Sequence, residues 1–195
     1  MNKFLQRFII REGVGDNYDK VSPEILLKYE NLLKTDKDES NIVTDIWREY
    51  GLCSYRDGLF WTINPDEYSA MIRQFPNISK SAIAFARTNL GNLFIYDKLN
   101  IGDSILFLNV HKGTIKVIST SFEILFAIGL GSESFWKEEC YGKIELKVLS
   151  KHTLLSDECL TFIPALAIGG DAKIGNLKKV KIRENLEFLS QLHSN

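Results

Sequence analysis

Apolar residues recur at helical spacing in Ile25, Leu26, Tyr29, Leu32 and Leu33, directly behind Ser22-Pro23-Glu24. A capping hydroxyl followed by proline, where no backbone donor is needed, starts a helix, predicted over about residues 23–33. Thr35 to Ser40 is polar and charged with no apolar anchor and predicts an exposed loop. Ile42, Val43, Ile46, Trp47 and Tyr50 form a second amphipathic face, stopped by Gly51. The period then shortens. Leu52–Tyr55 and Leu59–Ile63 read as strands rich in aromatic and β-branched residues, joined through Arg56-Asp57-Gly58 as a hairpin turn. Alternation puts Trp61 on the same side as Leu59 and Ile63, as packing for the corner formed with Trp47, Tyr50 and Phe60. Asn64-Pro65-Asp66-Glu67 starts another helix, with Asn64 as cap, Glu67 as the capping-box carboxylate, and Tyr68, Met71, Ile72 and Phe75 as the buried face up to Pro76.

From residue 82 the texture changes to AIAFART, LFIYD, SILFLNV and TIKVIS, each bounded by Gly, Asn or Asp, which predicts two consecutive hairpins of an antiparallel meander. Helical patterning returns in SFEILFAIG and SFWKEECYGKIELKVL. An apolar strand-like run LTFIPALAIGG, a basic strand KKVKI and a final helix ENLEFLSQLH complete the chain. The fold class is α+β, helices around antiparallel hairpins, with no internal repeat and no linker of low complexity.

Composition narrows the function. The chain has 195 residues and is 45% hydrophobic, as expected of a globular protein with a substantial core. Lys and Arg number 24 against 25 Asp and Glu, so the whole-molecule field does not draw the chain to nucleic acid. MNKFLQRFII is interrupted by Gln6 and Arg7 and predicts no signal peptide, hence a cytoplasmic location. FEILFAIGLG, the longest apolar run, falls short of the roughly 18 to 20 residues that span a bilayer, so no membrane partner is expected. Cys53, Cys140 and Cys159 are odd in number and widely spaced, which predicts buried thiols rather than disulfides or a zinc ribbon.

Catalytic patterns are missing. His111, His152 and His193 stand beside no nucleophile elbow and in no HExxH frame. The glycine pairs at 13–15, 129–131 and 169–170 complete neither a dinucleotide fingerprint nor a phosphate loop. Asp66-Glu67 and Glu138-Glu139 read as helix-start charge or solvated surface rather than acid–base pairs. Lys178, Lys179, Lys181 and Arg183 alternate with Val180 and Ile182 as a half-exposed strand without stacking aromatics. No catalytic residue, cofactor or metal site is predicted, and a binding protein is favoured over an enzyme.

Several stretches taken together resemble one family: SPEILLKYENLL, IWREYGLCSYRDGLFWTINPDEY, ARTNLGNLFIYD and FIPALAIGGDAKIGNLKKVKIRENLEFLSQL, in that order. They are similar to bacterial proteins with an N-terminal GAD-like domain and a C-terminal domain of formerly unknown function, members of which are immunity proteins of type VI secretion effectors, notably DNase toxins. The likeness covers nearly the whole chain and rests on the combination of Trp47 to Gly51, Asp57 to Trp61, Asn64 to Tyr68, Ala86 to Thr88 and Pro164 to Gly170. It departs where Leu32-Leu33 runs into the charged loop and at Asn89-Leu90-Gly91. The resemblance implies a GAD-like domain over residues 1–98 and a C-terminal immunity domain over 99–195, packed as one unit. It further implies stoichiometric inhibition of a secreted toxin. Inhibitors of nucleases offer acids to a basic cleft, which makes Asp36, Asp38 and Glu39 in the first loop, and Glu133, Glu138 and Glu139 around Phe135 and Trp136, the expected interface. The competing reading is a regulatory or scaffold module that recognises other proteins or a small ligand.

Overall fold

The central strands carry continuous apolar runs, LFIY at 93–96 and ILFL at 105–108, and such strands need cover on both faces. A computed structural model describes residues 3–38, 40–99, 102–139, 144 and 153–193. In chain order it contains α1 (Lys3–Glu12), β1 (Val14–Asp19), α2 (Pro23–Glu30), α3 (Ile42–Tyr50), β2 (Leu52–Tyr55), β3 (Phe60–Thr62) and α4 (Pro65–Ile72). The meander β4 (Ile83–Thr88), β5 (Leu93–Leu99), β6 (Gly102–Asn109) and β7 (Thr114–Ser119) comes after α4. Next are α5 (Phe122–Ile124), continued as a π-helix over Leu125–Gly129, then α6 (Glu133–Glu139), β8 (Glu158–Phe162), β9 (Leu177–Lys181) and α7 (Ile182–His193). Strands β1 to β7 form one sheet in sequence order, antiparallel throughout, and β8–β9 form a separate hairpin.

Period-two geometry sorts the side chains. Phe85, Phe94, Tyr96, Ile105 and Phe107 join Leu5 and Phe8 of α1, Ile46 and Trp47 of α3, and Phe122, Leu125, Phe126 and Trp136 in one core. Their neighbours Ala84, Leu93, Ile95, Leu106 and Leu108 join Met71 and Ile72 of α4 and Ile182, Leu186 and Leu189 of α7 in the other. Edge-to-face rings knit the first core, with Phe8 5.0 Å from Phe126 at 82° and Phe60 5.3 Å from Phe94 at 71°. The sheet runs through the expected 98/99 division, because β5 and β6 pair along their length.

Local signals explain most element starts. Ser22 Oγ accepts the Ile25 N–H at 3.3 Å ahead of Pro23, and Gly51 closes α3 at φ 71°. Helix α2 ends short of the predicted Leu33, because Asn41 Nδ2 donates to the Tyr29 and Glu30 carbonyls at 3.2 and 2.7 Å. Asn64 Oδ1 caps α4 through the Asp66 N–H at 3.1 Å. Glu67 engages the Asn64 side-chain amide at 3.3 Å, whereas a capping box predicts the cap's backbone N–H. Strand β3 is shorter than predicted and Leu59 belongs to the turn, so Leu59 enters the first core and Ile63 the second. The shared face of Leu59, Trp61 and Ile63 is therefore not formed. Trp61 is nevertheless buried, its Nε1 donating to the Gly58 carbonyl at 2.6 Å and its ring lying 4.4 Å from the Arg87 guanidinium. The predicted helix over SFWKEECYGKIELKVL is present over Glu133–Glu139, and most of the rest lies outside the described residues. Among the described residues no helix is long and apolar enough to cross a membrane.

Candidate partner-binding surface

The loop at 35–38 is less open than its composition predicts. Asp38 is only 6% exposed. Its carboxylate accepts the Thr35 hydroxyl at 2.7 Å, the Ser121 hydroxyl at 2.5 Å, and the Phe122 and Glu123 N–H groups at 2.9 and 3.2 Å. It is thus spent on capping α5 and is buried, where the charged stretch predicts an exposed acid. Asp36 is exposed, its N–H donating to Asp103 Oδ2 at 2.9 Å, while Asp103 Oδ1 accepts the Tyr96 hydroxyl at 2.9 Å. Burial first, and then this carboxylate, push the Tyr96 phenol above its ordinary range. Lys37 Nζ is held by Thr120 Oγ1 at 2.8 Å. Glu39 lies outside the described residues.

Trp136 is buried as well. It is 1% exposed, lies in the first core, and donates Nε1–H to the Leu130 carbonyl at 2.5 Å. Glu133 is exposed and pairs with Lys137 at 2.8 Å, a hydrogen bond that holds its carboxyl below the usual range. Glu138 and Glu139 belong to α6, with side chains outside the described set. Of the expected interface acids, two are exposed among the described side chains. Asp36, with Asp103, stands where α5 begins, and Glu133 opens the helix after the π-segment.

The titratable groups singled out in the sequence are committed to packing. His111 is fully buried, Nε2 lying 2.9 Å from the Leu90 carbonyl, and burial pushes its pKa down to about 4. His193 Nε2 lies 3.0 Å from the Val110 carbonyl. Burial pushes the Cys53 thiol up to about 11 and the Cys159 thiol up to about 12. Cys140 and His152 lie outside the described residues. Among the described residues no group of three His, Cys, Asp or Glu side chains could hold a metal ion. In the basic run, Lys179 pairs with Glu158 at 3.4 Å and Lys181 with Asp157 at 2.6 Å, while Val180 packs against the second core.

A cleft of about 400 Å³ opens between α4, the start of β2 and the β9–α7 junction. Asp19, Glu67, Asp157 and Glu184 line it against Lys181 and Arg183. Sequence reasoning missed it, since its walls come from segments scattered between residues 19 and 184 and no local spacing announces them. Close to this cleft, the buried Arg87 donates to the Thr88 carbonyl at 3.2 Å and to the Ser156 carbonyl at 2.9 Å, so one guanidinium ties β4 to the segment before β8.

An α+β protein whose buried polar groups serve packing, with acids left at its surface, is the class the geometry defines. Residues 1–111 match the family described as GAD-like domain, and the chain belongs to that family. Residues 124–193 match the C-terminal part of the type VI secretion system immunity protein Tdi1, so both halves of the resemblance read from the motifs are present in order. A crystal structure of Atu4351 from Agrobacterium tumefaciens shares the fold at TM-score 0.76 and 16% identity, over 95% of this chain and 88% of that one. No curated protein matches the chain.

Proposed function

We propose that this protein neutralises a cognate type VI toxin, a DNase, by binding it stoichiometrically in the cytoplasm, with no chemistry of its own. The observation that carries the reading is the match of residues 124–193 to the Tdi1 immunity protein, joined to a GAD-like part. The burial of His111, Cys53 and Cys159 supports a binding role, because groups pushed away from neutral-pH reactivity make poor catalysts. Asp36 and Glu133, with Glu39, Glu138 and Glu139, are proposed as rim acids that complement a basic nuclease surface and speed encounter.

Co-expression decides the matter. The toxin encoded beside this chain should arrest growth alone, spare cells that also make this protein, and co-purify with it at one-to-one stoichiometry. A pull-down that recovers cellular proteins but no toxin would transfer the argument to a regulatory module.

A further inference from the structure

We draw no further inference here: the strongest candidate, the cleft between α4, the start of β2 and the β9–α7 junction, sets its carboxylates against Lys181, Arg183 and the nearby buried Arg87, so its charge selects no occupant and nothing in the structure shows what covers it.

Discussion

Trp61 is held by a turn carbonyl on one side and a guanidinium on the other, so its removal leaves a cavity and uncovers the buried Arg87. Trp61→Ala should cost about 3–5 kcal/mol, and Trp61→Phe, which keeps a ring under the cation and loses the indole bond, about 1 kcal/mol. Thermal melting measures both, and a Trp61→Ala variant that melts with wild type would refute the account. The sequence placed Trp61 inside but named the wrong companions, because local alternation cannot reveal a cation arriving from β4. His111 offers a second residue-scale outcome. Its folded pKa of about 4 lies below the ordinary 6.5, so between those values the unfolded chain binds more protons than the folded one. Stability is then fully present above pH 6.5 and is lost as pH falls toward 4, by roughly 3 kcal/mol in all. Urea midpoints taken from pH 7.5 down to pH 4.5 should fall with pH, and His111→Gln should flatten that fall. An equal slope in the variant would place the pH dependence elsewhere.

Elements were legible where their signals are local. Ser22-Pro23, Asn64-Pro65 and Gly51 lie within a turn of the helix ends they define, and the structure finds α2, α4 and α3 there. The four meander strands were legible for the same reason, since each is closed by turn residues of its own. Capping at long range was not legible. Asp38 accepts the Phe122 N–H across a separation of 84 residues, and in isolation it reads as one more acid of a charged loop. Helix α1 also went unread, because only Leu5 and Phe8 are fully buried along it and its last turn is fixed from outside, by Arg11 reaching the π-segment. The interface candidates divide along this line. Asp36 and Glu133 are exposed as a charged stretch suggests, whereas Asp38 and Trp136 are buried by partners the local sequence does not show. Asp38→Ala should therefore act on stability, removing a cap and leaving the Phe122 and Glu123 N–H groups unpaired at a cost of about 2–3 kcal/mol. Circular dichroism melts should register the loss. A variant as stable as wild type that still fails to bind toxin would return Asp38 to the interface.

At the scale of the whole molecule, the GAD-like match ends at residue 111, yet the sheet it contains is completed by residues C-terminal to that point. Phe94, Phe107 and Phe85 are covered on one face by Phe122, Leu125, Phe126 and Trp136. Leu93, Ile95, Leu106 and Leu108 are covered on the other by Cys159, Ile182, Leu186 and Leu189. Strand β7, which pairs with β6, also lies beyond the match. Without these parts both faces of β5 and β6 would keep only the partial cover of α1, α3 and α4, and the β6 edge, with its continuous apolar run, would be open to intermolecular pairing. Arg87 works in the same direction, binding the Ser156 carbonyl from within the GAD-like part. Packing and strand pairing thus cross the family boundary at residue 111. Residues 1–111 produced alone should show no cooperative thermal transition, bind a hydrophobic dye and aggregate, whereas the full chain melts in one step. Adding residues 112–193 as a separate polypeptide during refolding should restore a cooperative melt, since every missing contact lies within it. A monomeric 1–111 fragment with a sharp melting transition would show that α1, α3 and α4 suffice as cover, and would overturn the claim that the C-terminal residues complete this fold.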